Sequence, residues 1–179
     1  TDLGNLKLEN LVMTRDNDSA EYAYVGDIRA NHFNIGSYYD IPDLSYVTGD
    51  VNIDGVGLGK NTINAKIDGE FSELVYRNYT YSGISVSNGK FRRQVFDGDF
   101  NLDDPNVKMV FKGSVDNSGS LPQMNFIAKI DSANLGELGF LDKKHENILS
   151  ADLNMNFKGD NIDNIDGTFR VNNLNYSKD

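Results

Sequence analysis

Apolar and polar residues alternate along most of this chain. In Ala65-Lys66-Ile67-Asp68-Gly69-Glu70-Phe71-Ser72 the odd positions are apolar or glycine and the even positions polar or charged, the period of two of a half-buried strand. Residues 96–103 repeat the pattern with Phe96, Phe100 and Leu102 on one face, and 109–116 do so with Met109, Phe111 and Val115. Further on, 153–159 align Leu153, Met155 and Phe157, and 165–171 align Ile165 and Phe169. Residues 22–28 hold a weaker copy. Most of these stretches place a glycine on the apolar face (Gly69, Gly98, Gly113, Gly167), and glycine weakens a strand interior, so its recurrence asks for a reason. Sheet curvature is preferred over contact with a ligand.

Turn formers separate the apolar runs at Ser87-Asn88-Gly89-Lys90, Asp103-Asp104-Pro105-Asn106 and Asp116-Asn117-Ser118-Gly119. About ten strands fit, joined mostly by hairpins. Helical spacing is confined to 133–149, where Leu135, Leu138 and Leu141 recur every three residues. A second short turn is expected over 38–45, because Ile41-Pro42-Asp43-Leu44 interrupts the alternation. The expected organisation is one all-β segment over 1–179. It comprises first strands and a short turn (1–48), a central meander (49–131), a short helical or turn insert (132–148) and terminal strands (149–179).

The outward positions are rich in Asn, Asp and Lys, so one face is solvated, an asymmetry that antiparallel meanders tolerate and buried parallel sheets do not. The other face needs a cover. It can fold over into a sandwich, close as a barrel, or curl into a trough lined for something else. Pattern alone favours a self-filled β-sandwich. An open trough would expose more contiguous apolar area than soluble monomers tolerate, and so would imply a ligand or partner.

Composition narrows the function classes. The 179 residues include 27 acidic against 17 basic, a net charge of −10, which argues against a nucleic-acid reader or an anionic-membrane binder, since both need a basic face. Cysteine and tryptophan are absent and only two histidines occur, which removes disulfides, thiol nucleophiles and the usual Cys/His zinc arrangements. No apolar run approaches the ~20 residues of a membrane span. With threonine first and no signal sequence at the start, the chain is expected to be a section of a longer or processed protein.

Catalytic motifs are sought and mostly not found. Asp54-Gly55-Val56-Gly57-Leu58-Gly59-Lys60-Asn61-Thr62 fails the Walker spacing: Asp54 stands where its first glycine belongs and Asn61 where Ser or Thr must follow the lysine, so a hairpin loop is expected. In Asp160-Asn161-Ile162-Asp163-Asn164-Ile165-Asp166-Gly167 the acidic period is three, not the two of an EF-hand loop, which reads as a solvated turn. His32 and His145 lie in no metal or Ser/His/Asp motif and are expected at the surface or at strand ends. Tyr76, Tyr79 and Tyr81 read as cross-strand pairs rather than a sugar platform. No cofactor, metal or catalytic residue is expected.

Taken in order, Val25-Gly26-Asp27-Ile28-Arg29-Ala30, Phe33-Asn34-Ile35-Gly36, Pro42-Asp43-Leu44-Ser45-Tyr46-Val47-Thr48-Gly49-Asp50-Val51, Gly55-Val56-Gly57-Leu58, Ile67-Asp68-Gly69-Glu70-Phe71, Tyr79-Thr80-Tyr81 and Phe96-Asp97-Gly98-Asp99-Phe100 form one succession. It continues through Asp103-Asp104-Pro105-Asn106, Phe111-Lys112-Gly113-Ser114-Val115-Asp116 and Ile165-Asp166-Gly167-Thr168-Phe169. The succession resembles the repeat region of the TamB (translocation and assembly module) or AsmA-like family, in its Bacteroidetes-type form. The resemblance implies a middle fragment of an inner-membrane-anchored protein spanning the periplasm, whose repeats build a curved, largely antiparallel β-groove of taco-like cross-section. It implies non-enzymatic conduction of phospholipid acyl chains and support of outer-membrane biogenesis. The implied partners are those acyl chains, neighbouring repeats of the same protein and an outer-membrane assembly protein of the Omp85 type, with no nucleic acid. The expected lining is Ile67, Phe71, Phe96, Phe100, Leu102, Met109, Phe111, Val115, Leu153, Met155, Phe157, Ile165 and Phe169. The rival expectation is a self-filled scaffold that docks outer-membrane protein strands at its edges.

Overall fold

The computed structural model describes residues 3–15, 21–39, 43–57, 59, 61–160 and 163–178, leaving aside the side chain of Tyr39. The strands are β1 (Asn5–Arg15), β2 (Tyr22–Asn34), β3 (Leu44–Val56), β4 (Asn64–Tyr76), β5 (Tyr79–Tyr81), β6 (Ile84–Arg92), β7 (Val95–Asp104), β8 (Val107–Asp116), β9 (Gln123–Asn134), β10 (Asn147–Lys158) and β11 (Asp166–Lys178). One short helix, α1 (Ile35–Tyr39), follows β2.

All strands belong to one antiparallel sheet in the order β1-β2-β3-β4-β6-β7-β8-β9-β10-β11, with β5 paired to β4. Substantial packing runs only between hydrogen-bonded neighbours, apart from α1 against β3. The self-filled sandwich favoured by pattern alone is therefore not what forms. Apart from β5, which pairs only with β4, each strand pairs with the next along the chain, so the sheet is laid down in one direction and does not cross over to begin a second layer. The result is an open, curved sheet that does not close into a barrel.

Curvature has an identifiable local cause. Among the described residues, four strands contain a non-glycine residue with positive φ in mid-ladder: Asn10 (51°), His32 (48°), Asn88 (54°) and Asn173 (49°). Each marks a register shift. At a bulge two residues oppose one, which bends the strand and raises its twist, and asparagine tolerates the left-handed conformation better than most residues. Three of these asparagines also donate their side-chain amide to a carboxylate on the neighbouring strand: Asn10 to Asp27 at 2.9 Å, Asn88 to Asp99 at 2.8 Å and Asn173 to Asp152 at 2.5 Å.

The bulged segments share one eight-residue template. Leu6-Lys7-Leu8-Glu9-Asn10-Leu11-Val12-Met13, Ile28-Arg29-Ala30-Asn31-His32-Phe33-Asn34-Ile35, Ile84-Ser85-Val86-Ser87-Asn88-Gly89-Lys90-Phe91 and Phe169-Arg170-Val171-Asn172-Asn173-Leu174-Asn175-Tyr176 all place apolar residues or glycine at positions one, three, six and eight and the left-handed residue at five. The bulge restores the inward parity after the fifth residue, so both halves of the strand face the same side.

Several local expectations need correction. Ser87-Asn88-Gly89-Lys90 is no turn; it is the bulge inside β6, and the chain reverses instead at Arg93-Gln94, both with positive φ. Of the two forms expected for the insert, helical or turn, the turn is what forms, over 135–146, with Leu135 and Leu138 folded onto the sheet. The helix lies instead at Ile35–Tyr39, and of the turn expected over 38–45 residues 40–42 lie outside the described residues. So do Leu58 and Lys60 of the glycine-rich loop and Asn161 and Ile162 of the acidic one. The turn at Pro105-Asn106 forms as expected, between Asp104 and Val107.

Candidate functional site: the apolar face

Register, rather than any single residue, builds the site. Following the pairings from β1 to β10 gives one cross-strand row: Leu6, Ala30, Gly49, Phe71, Ile84, Leu102, Met109, Ile130 and Ala151. Two residues along each strand runs a second row from β1 to β11: Leu8, Ile28, Val51, Gly69, Val86, Phe100, Phe111, Ala128, Leu153 and Val171. The second row has one residue from each of ten strands, and none is polar. Nine inter-strand spacings of about 4.8 Å make it about 43 Å long. Beyond it lie Ile67, Phe126, Met155 and Phe169, then Phe96, Val115, Met124 and Phe157.

The two long rows differ in cover. The first is capped. Leu135 and Leu138 of the 135–146 turns, together with Tyr79 and Tyr81 of β5, pack against Ile84, Leu102, Val107 and Ala133, while Ile35 of α1 packs on Ala30, Phe33 and Val47. Ile84 is 2% exposed and Leu102 5%. In the second row only Ala128 is buried, and the other members are half-buried or, at the two edges, exposed.

A polar pin holds the cap. The carboxylate of Asp104 at the β7–β8 turn is buried, and it accepts hydrogen bonds from Tyr79 Oη (2.6 Å), Ser82 N (2.9 Å), Ser82 Oγ (3.0 Å) and Asn106 N (2.9 Å). Asn106 Nδ2 in turn donates to Tyr79 Oη at 3.0 Å. Burial alone would raise the Asp104 pKa, but the hydrogen bonds from Tyr79, Asn106 and Ser82 outweigh it and hold the group below the usual carboxylate range. Burial first, and then the Asp104 carboxylate, push the Tyr79 hydroxyl up to about 12, so it remains the donor.

The expected lining residues largely share this apolar face, yet they are not equivalent. Phe100, Phe111 and Leu153 sit in the open row, whereas Leu102 is buried beneath the cap beside half-buried Phe71 and Met109. Ile67, Phe96, Val115, Met155 and Phe157 are half-buried in the outer rows. Phe169 is 44% exposed, since β11 is the last strand of the sheet among the described residues. Ile165 lies just before β11 and outside the ladder, since pairing with β10 begins at Asp166. The alternation did not single out β1, β3, β5, β6 or β9. In β9, Met124, Phe126, Ala128 and Ile130 face inward, with Phe126 against Phe111 at 4.9 Å between ring centres.

The glycines are explained without a ligand. A Cβ on Gly113 would stand 2.2 Å from the Asn125 carbonyl oxygen and 2.5 Å from the Phe126 Cα, and one on Gly167 would meet Asn156 O and Phe157 Cα at 2.2 and 2.5 Å. Both have φ near +155° (152° and 156°), where L side chains are strained. Close approach of the next strand requires glycine there.

The polar face is less plain than expected. A furrow of about 610 Å³ crosses it between the rows Asp99-Lys112-Ile127-Asn154 and Asn101-Val110-Lys129-Asp152-Asn172. Val110 and Ile127 are exposed on its walls, but Lys112 is paired with Asp99 at 3.1 Å and Lys129 with Asp131 at 2.6 Å. The furrow lacks the length and the continuous apolar surface of the open row. His32 is exposed at its bulge, stacked on Tyr46 at 4.0 Å, and His145 is exposed in the 135–146 turns. Among the described residues no three His, Cys, Asp or Glu side chains converge as a metal cluster would require. Comparison with protein-family models, with curated proteins and with solved structures finds no match.

Proposed function

We propose that this chain is a non-enzymatic β-groove segment that conducts phospholipid acyl chains through the periplasm, as the resemblance to TamB and AsmA-like proteins implies. The observation that carries the reading is the open row: ten strands long, apolar throughout, half-open, and without a fixed donor or acceptor side chain. Burying an acyl chain gains at most ~0.8 kcal/mol per CH₂, so a sixteen-carbon tail gains on the order of 10 kcal/mol before ordering costs. Because the row repeats an apolar contact at every strand, a tail moved by one strand spacing exchanges one such contact for another. That favours sliding over fixed binding. The phospholipid headgroup would ride outside the groove, and no part of the apolar face selects among headgroups.

Photo-crosslinkers placed at Phe100 and Phe111 are expected to capture phospholipid in cells, while the same groups at Asp99 and Lys112 on the polar face are not. Equal labelling at all four positions would sink the proposal. Native mass spectrometry of gently purified protein is expected to retain phospholipid. A second reading, a scaffold that receives outer-membrane protein strands, draws on the two open sheet edges. It predicts no retained lipid and binding of an unfolded outer-membrane protein segment.

A further inference from the structure

We propose that the 135–146 turns roof the open row, with Phe140 and Leu141 closing on an acyl chain that lies against Phe100, Phe111 and Leu153. This rests on the open row carrying acyl chains, and adds the contact that holds a tail down. Phe140 is 58% exposed and Leu141 46%, side by side in a run, 139–146, whose residues are all exposed. Lone exposed apolar residues are ordinary, but here two large ones are held out together. Phe140 N and Leu141 N both donate to Leu135 O, at 2.9 and 3.0 Å, and Gly139 N donates to Gly136 O at 3.1 Å. With Gly139 at φ 79°, this is a Schellman-type stop. Further on, the buried Asn147 donates its amide to Asp142 O (3.3 Å) and His145 O (2.9 Å) and accepts from Tyr176 Oη (2.7 Å). The turns are therefore tied at both ends and keep Phe140 and Leu141 in water.

Leu138 fixes where the pair stands. It is 7% exposed, in one cluster with Ile84, Leu102, Val107 and Ala133, and Phe100 of the open row packs on the same cluster. Phe140 follows Leu138 by two residues, at most about 7 Å of chain, and neighbouring rows lie about 7 Å apart along a strand. The pair is thus within a side chain's reach of the open row, on its capped margin. The occupant follows from what the two surfaces lack. Neither the open row nor this pair offers a side-chain donor or acceptor, so a peptide between them would leave backbone polar groups unmatched, whereas an acyl chain has none.

The sequence has no tryptophan, so a single introduced one reports its own surroundings. Phe140→Trp in the roof, Phe111→Trp in the floor and Val110→Trp on the polar face are each titrated with dibromostearate below its micelle concentration, since bromine quenches tryptophan only near contact. The expected result is quenching of the first two over the same concentrations, with Val110→Trp unaffected. Quenching of Phe111→Trp alone overturns the roof and leaves the groove standing; quenching of neither overturns both, and equal quenching of all three marks unspecific adsorption and overturns the roof. In the Phe111→Trp background, Phe140→Ser with Leu141→Ser is expected to release the ligand about fivefold faster or more, read from the recovery of fluorescence when excess vesicles remove it. The urea midpoint should not move, because both side chains are exposed. An unchanged release rate, or a fall in the midpoint, would overturn the proposal.

Discussion

The capped and open rows are made of the same kinds of residue, two positions apart on the same strands, yet one is a core and the other a surface. Leu102 and Phe100 show the contrast most directly. Both lie on the apolar face of β7, and Leu102 is buried within the cluster that Leu138 completes, while Phe100 packs at the margin of that cluster and stays half-buried. A one-layer sheet thus divides its apolar face between holding itself together and remaining available. Cover, not composition, decides which role a side chain takes.

The largest effect should come from emptying the capped row. Leu102→Ala removes a buried side chain from beneath Leu138 and is expected to cost about 3 kcal/mol or more, read from urea unfolding. Next is the pin. Asp104→Asn loses the charge that four hydrogen bonds serve and is expected to cost about 2–3 kcal/mol at pH 7. The folded pKa of Asp104 is depressed, so its contribution is present above the unfolded value of about 3.9 and lost as pH falls through the folded value. The stability gap between wild type and D104N should therefore close below about pH 4.

Phe111→Ala, in the open row, should destabilise by only about 1–2 kcal/mol, since a half-buried ring returns less surface to water. It should nevertheless lower phospholipid retention more than Leu102→Ala does among molecules that remain folded. Equal effects on retention would erase the distinction between the rows. Asn88→Ala forces a residue with a Cβ and no amide into the left-handed bulge and is expected to cost about 1 kcal/mol. Lys112→Ala on the polar face should leave the unfolding midpoint unchanged within error, since its ion pair with Asp99 is exposed.

Much of this was legible in the chain. The alternation in 65–72, 96–103 and 109–116 placed β4, β7 and β8, and most of the lining named from pattern lies on the face expected of it. Of the strands that the alternation did not single out, two escaped notice for a clear physical reason. In β1 the bulge at Asn10 resets the parity, so Leu11-Val12-Met13 reads as an unpatterned apolar run. In β9 the outward Ile127 fills what should be a polar position, 53% exposed. Hairpin chemistry misled as well: Asn88-Gly89 is the stronger turn signal, yet the chain turns at Arg77-Asn78 and Arg93-Gln94, each with two successive residues of positive φ, of which only Asn78 favours that conformation. The division into capped and open rows was not legible, because it depends on where Leu138 folds back, a contact with β6 and β7 from far along the chain.

Away from the cluster beneath the cap, each strand leans almost wholly on the two beside it, so the outer strands owe their place to their immediate neighbours. The energetics there are those of a one-dimensional stack, a sum of strand terms and nearest-neighbour terms, as in solenoids. Opening should then begin at β1 and β11 and travel inward, with amide exchange slowest in β6 and β7 under the cap. Such an object can be lengthened by a strand pair without redesigning anything already built.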